Sequence, residues 1–187
     1  MPRLPLFALL VIAAGPGAAQ AQPPEAGAAN REALKRFEFL AGKWQGKASV
    51  TSGPGMPVPV TQTEEVRFKL NGTVLLIEGT GVGKLPGSDK EGVVFNALAI
   101  LSYDAPTKAY KLRAHRMEGA ATDAAVKLHD TGRGFDWGFE VPGQKIEIKY
   151  TMTLTDDGKW HEVGRMSRDG GKTWLPFIEM TLTRVKE

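Results

Sequence analysis

The 187-residue sequence contains no cysteine, only 3 histidines and no large excess of charge, its formal net being +3. Without thiols there is no disulfide scaffold, no thiolate metal site, no cysteine nucleophile and no cysteine-linked lipid anchor, so the fold must rest on its core. His115, His129 and His161 stand singly, with none of the H-x-H or H-x-x-x-H spacings that bring two imidazoles to one metal. A balance of 24 Lys and Arg against 21 Asp and Glu is too even to suggest nucleic acid. No G-x-S-x-G elbow and no P-loop is present, and Gly81-Val82-Gly83-Lys84 is too short for a phosphate cradle. What remains, with 42% hydrophobic residues, 22 Gly and 12 Pro, is the composition of one ordinary globular domain.

Met1-Pro2-Arg3 precede an apolar run from Leu4 to Ala14, and a small-residue stretch ends in Ala19-Gln20-Ala21 before Gln22. A charged start, a short apolar stretch and an A-x-A site describe a cleaved secretory signal over residues 1–21. The run is shorter than the ~20 residues a membrane-crossing helix needs, and no later segment could span as a helix. Residues 22–29, rich in Pro, Ala and Gly, are expected to be a disordered tail before a domain over 30–187. The compact leader suggests a bacterial periplasm or the cell exterior.

Asn30 is a candidate cap for a short helix reaching Leu40, with Leu34, Phe37 and Leu40 on one stripe and Gly42 ending it. From there helical periodicity gives way to alternation of period two, punctuated by Gly, Pro, Asn and Asp. About ten strands can be read: 43–50, 60–70, 73–80, 93–103, 110–118, 124–129, 135–141, 145–155, 159–168 and 173–185. Asn71-Gly72, Pro142-Gly143, Asp157-Gly158 and Gly170-Gly171 mark tight turns, while Gly79, Gly81, Gly83, Pro86 and Gly87 predict a flexible loop. The strand 93–103, apolar on both faces, is expected to be the most buried. Ten short strands left flat would expose long edges, so the fold class is all-β, a single closed antiparallel meander barrel.

The segment Phe39-Leu40-Ala41-Gly42-Lys43-Trp44-Gln45-Gly46 resembles the opening of lipocalin-like (calycin) barrels, whose short helix closes the base ahead of a G-x-W. The resemblance implies an arginine near the end of the last strand covering that indole, and Arg184 stands in the matching place. With the Tyr103-Asp104 corner and the D-G-G-K-T-W hairpin, nearly all of the mature chain resembles a family of secreted bacterial lipocalin-like proteins of unknown function. Ser167-Arg168-Asp169-Gly170-Gly171-Lys172-Thr173-Trp174 is also similar to the Asp-box of sialidases, but as a single copy it implies a local turn. The haem-binding nitrobindin group is another ten-stranded barrel with this opening, yet the last strand lacks the inward histidine that its site needs.

By parity the lumen is lined by Phe68, Phe135, Trp137, Phe139, Tyr150, Met152, Trp160, Met166 and Met180, with Trp44 and Arg184 closing one end. Eight of these, all but Phe139, are the candidate ligand-binding residues for a small apolar or amphipathic molecule, adaptable through their methionines. No catalytic residue, metal or cofactor is assigned. Three alternatives stay open: a filled core without ligand, a surface interaction protein using the Gly/Pro loops 52–59 and 79–92, and a lumen-active isomerase or lyase. The last requires two or more of Glu64, His115, Arg116, Glu162 and Tyr150 to converge inside; Glu78 and Glu118 are the remaining carboxylates weighed. Intact-mass measurement of the protein recovered from an exporting bacterium should give a chain beginning at Gln22; retention of Met1 contradicts the signal reading.

Overall fold

The computed structural model describes residues 27–51 and 57–186. The expected signal and most of the expected tail, like most of the loop 52–59, therefore lie outside the described residues. A helix, α1 (Ala28–Lys35), and a 3-10 turn at Glu38–Leu40 lead into ten strands. These are β1 (Gly42–Val50), β2 (Val58–Lys69), β3 (Val74–Lys84), β4 (Glu91–Asp104), β5 (Ala109–Arg116), β6 (Ala121–Leu128), β7 (Gly134–Glu140), β8 (Glu147–Leu154), β9 (Trp160–Ser167) and β10 (Leu175–Arg184). Each strand pairs antiparallel with its neighbours in sequence, and β1 pairs with β10 to close the barrel. Closure leaves no unpaired edge, which is how a meander of this length avoids offering strands to other chains.

Alternation fixes which residues face inward. Along one register line Phe68, Leu75, Leu101, Leu112 and Ala124 stand side by side on β2 to β6. Phe135, Met152, Glu162 and Met180 continue another line through β7 to β10. Pro176, which has no N–H to give a ladder, sits at the point where the β9–β10 register shifts.

The helix start differs from expectation. α1 begins at Ala28, inside the expected tail, with Gly27 at its N-cap and no side-chain cap. Asn30 lies within the helix and donates its side-chain amide to the Tyr103 carbonyl instead. Leu34, Phe37 and Leu40 have no accessible surface, so the stripe read from the sequence is the plug of one barrel end. Phe37 meets Tyr110 and Phe135 edge-on at 5.1 and 5.6 Å, and the Tyr110 hydroxyl donates to the Ala33 carbonyl at 3.0 Å.

Beside the plug, Trp44 is 1% exposed and donates Nε1–H to the Leu40 carbonyl at 2.8 Å. Its cross-strand partner is Arg184, whose guanidinium carbon stands 4.1 Å from the indole centroid. Arg184 also donates to the carbonyls of Phe39 and Ala41, tying the plug to the last strand. Gly42 is required here twice over: its φ is +126°, and a Cβ would lie 2.5 Å from Arg184 Nη1.

Three other expectations are corrected. Gly79, Gly81 and Gly83 are strand positions of β3, so the connection shrinks to 85–90. They read as a loop because glycine is rare in strands, yet here each faces the inner wall where a neighbour lies flat. β4 is not the most buried strand; only Leu101 is buried in it, and Val93 and Ile100 are exposed. A wall one sheet thick leaves the outer face of every strand in solvent, whatever its composition. Leu70 does not continue the inward face of β2, since it sits at φ +49° in a 3-10 turn and is 73% exposed. Replacing Arg184 by Ala uncovers the indole and strips a charged donor from two carbonyls, and should lower unfolding free energy by about 1–3 kcal/mol in a denaturant titration. A change within experimental error would remove Arg184 from the closure.

Candidate functional site

The plug seals the end of the tube where β1 begins and β10 finishes. The opposite end carries the connections 85–90, 117–120, 141–146 and 168–174, beside the end of β1 and the start of β2. Half-buried aromatic residues gather toward this open end. Trp137 and Tyr150, cross-strand partners on β7 and β8, stack at 4.0 Å with an interplanar angle of 7°. Phe139 continues the stack at 6.3 Å from Trp137, and Phe177 meets Tyr150 edge-on at 6.4 Å. Gly164 faces Tyr150 across the β8–β9 pair, and a Cβ there would lie 2.8 Å from the phenol ring, so the missing side chain is what lets the ring lie along the wall.

Further inside are carboxyl groups. Glu162 is 8% exposed and receives two indole donors, Trp160 Nε1–H to Oε2 at 3.0 Å and Trp137 Nε1–H to Oε1 at 3.3 Å. Glu64 is also 8% exposed, and its Oε1 accepts the Gln62 side-chain amide at 2.8 Å. Its carboxyl lies over Gly79, where a Cβ would be 2.6 and 2.7 Å from the two oxygens. The glycine makes the space in which the acid lies flat. On the neighbouring inner walls, Ala97, Ala99 and Ala114 are small and keep accessible surface.

Burial dominates the titration of these groups. It raises the Glu64 pKa to about 8, with the nearby Glu162 adding to the rise and the Gln62 amide opposing it. Glu162 is raised by burial against the pull of its two indole donors. Burial, then Glu162, raises the Tyr150 hydroxyl, while Arg116 pulls it down. At neutral pH Glu64 is therefore mostly an acid, able to give a proton inside the tube and to take one back.

The ten residues singled out from the sequence divide by height. Phe135 and Trp160 are buried at the plugged end, Trp160 edge-on to Trp44 at 5.8 Å, and Phe68 packs half-buried near them. Met152 and Met180 are buried on either side of Glu162 in the register, while Trp137, Tyr150 and Met166 lie toward the open end. Trp44 and Arg184 hold the closed end. Among the groups weighed for catalysis, Glu64, Glu162 and Tyr150 come together inside. Arg116 stands at the rim, ion-paired with Glu118 at 3.1 Å. His115 is exposed on the outer face, and Glu78 pairs with Arg67 outside. Gln62 was missed, although parity with Val60, Glu64 and Val66 places it on the inner face of β2.

The Asp-box segment is a braced turn. Ser167, 1% exposed, accepts the Gly171 N–H at 2.8 Å, and Asp169 accepts the N–H groups of Lys172 and Thr173 and the Thr173 hydroxyl. These donors hold the Asp169 carboxyl down at about 2. Lys149 covers the Trp174 ring at 4.2 Å. A depression of about 670 Å³ along β6 to β8 is lined by Lys127, Asp136, Glu140, Glu147 and Lys149 together with Trp137, Phe139, Ile148 and Tyr150.

No protein-family model matches the sequence, and no curated protein matches it. Among solved structures, Rv2717c from M. tuberculosis is similar at 12% identity and a TM-score of 0.61, the match covering 82% of this chain and 98% of that one. The S-type phycobiliprotein lyase CPES from Guillardia theta is similar at 11% identity and a TM-score of 0.57, covering 82% and 92%. Together with the closed ten-strand meander, these likenesses place the fold with the lipocalin-like calycin barrels.

Because the folded Glu64 pKa lies above its ordinary value, the folded state binds the extra proton, and stability should fall as pH rises from about 4.5 to about 8. Glu64→Gln removes that dependence. Thermal melts should show the variant more stable than the parent at pH 8.5 and nearly equal at pH 4.5; parallel curves would place Glu64 in solvent.

Proposed function

We propose that this barrel binds a small amphipathic molecule through its open end. The apolar body lies against Trp137, Phe139, Tyr150 and Phe177, and the polar group reaches Glu64 and Glu162. One observation carries this reading: an aromatic mouth stands above a buried acid that the core does not need. A filled structural core gains nothing from two carboxyls whose charged forms burial disfavours. That a similar barrel belongs to a phycobiliprotein lyase supports the use of this architecture around a small molecule. The leader read at residues 1–21 supports a periplasmic or secreted site of action, as does the resemblance to secreted bacterial lipocalin-like proteins.

A second reading, a lumen-active lyase or isomerase, is favoured by two buried carboxyls, Glu64 and Glu162, that act on each other inside one tube and are both held toward their protonated forms. It predicts that Glu64→Gln keeps binding and loses turnover. Binding itself is tested with N-phenyl-1-naphthylamine, a fluorescent apolar amine. Saturable enhancement at micromolar concentration, weakened about tenfold in Tyr150→Ala through the lost stacking surface, is the expected result. Absence of saturable binding contradicts the proposal.

A further inference from the structure

Three side-chain oxygens inside the tube have no hydrogen-bond partner among the described residues: the Tyr150 hydroxyl on β8, and, side by side on β2, Glu64 Oε2 and Gln62 Oε1. The Gln62 amide satisfies only Glu64 Oε1. No fully occluded polar side-chain atom among the described residues lacks a partner, so all three oxygens retain accessible surface. The two on β2 lie over Gly79 and Gly81, where Cβ atoms would come within 2.7 Å of each, so that surface belongs to the inner wall. The indole donors nearby are already committed, since Trp137 and Trp160 both give their N–H to Glu162. The lumen thus offers acceptors whose natural complement is a donor, and its acids favour a positive one.

We propose that the lumen selects protonated amines, molecules with an apolar body and an ammonium head whose N–H groups reach Glu64 Oε2 and Gln62 Oε1. This rests on the binding reading above and names its ligand class. A carboxylate ligand finds one neutral donor, the Tyr150 hydroxyl, but meets two acids beside it, and the guanidinium at the rim, Arg116, is engaged by Glu118. A neutral alcohol gains the apolar contacts and no charge pairing. Of the charged and titratable groups, Glu162 on β9 acts on Glu64, and Glu162 and Arg116 on β5 act on Tyr150 on β8. Burial raises Glu162 as well, Arg116 opposes a cation from the rim, and Tyr150 stays neutral throughout the working range.

Holding an ammonium requires Glu64 to give up its proton. Since that proton leaves near pH 8, affinity for an amine should weaken about tenfold for each pH unit below about 8 and level off above it. Decylammonium, decanol and decanoate, each below its micelle concentration, are titrated against the purified protein between pH 6 and 9 with tryptophan emission as the signal. At pH 8.5 decylammonium should bind at least about tenfold more tightly than the other two, and roughly 100-fold more tightly than it does itself at pH 6. Glu64→Gln should abolish both the preference and the pH dependence, and a circular dichroism spectrum matching the parent's shows that the variant is folded. Equal affinity for decanol and decylammonium, or a preference that persists in Glu64→Gln, overturns the selection of amines and leaves lumen binding standing. Failure of all three probes to bind overturns the binding reading as well.

Discussion

The structure depends on closing a single antiparallel sheet upon itself and stopping one end of the resulting tube. β1 and β10 supply the closure, and Trp44 and Arg184 stand opposite each other in that last seam. The indole fills the base and the guanidinium lies across it, fastened to the carbonyls of Phe39 and Ala41 in the segment that carries the plug. Leu34, Phe37 and Leu40 occupy the same end and close it with packed side chains.

A closed tube of ten strands is wide, and the chain fills it unevenly. The plugged end is packed with Phe135, Trp160, Leu75, Leu101 and Leu182, as dry as any core. Toward the mouth the packing changes character: glycines and alanines line β3 to β5 while aromatic rings line β7, β8 and β10. Between the packed base and this region the sequence places Gln62, Glu64 and Glu162, all buried, with Glu64 the β2 partner of Trp44. Keeping an acid there costs stability at neutral pH, since burial disfavours its ionised form, and such groups mark places where chemistry or recognition has been favoured over packing.

Much of this was legible in the residues. The period of two gave ten strands in meander order, and the G-x-W opening with a late arginine gave the closed end. Parity also put Phe135, Trp137, Tyr150, Met152, Trp160 and Met180 on inner faces. What parity cannot give is height along the tube, because that depends on strand tilt and on which end the helix plugs. Residues read as one lining therefore separate into packed base and open mouth. The glycines of β3 were misread because a Gly-rich stretch signals a turn unless the side chain lying over each glycine is known; Glu64 over Gly79 and Gln62 over Gly81 are contacts across strands. β4 was misread because an apolar outer face looks like burial on both sides when the sheet is taken as sandwiched.

The account turns on Glu64 being an uncharged acid inside the barrel. Carbon-13 NMR of the glutamate side-chain carboxyls, assigned by comparison with Glu64→Gln, reads that state directly. A resonance from position 64 that titrates near pH 8 is the predicted result, and one that titrates in the ordinary carboxylate range near pH 4.5 would contradict the interior proposed for this protein.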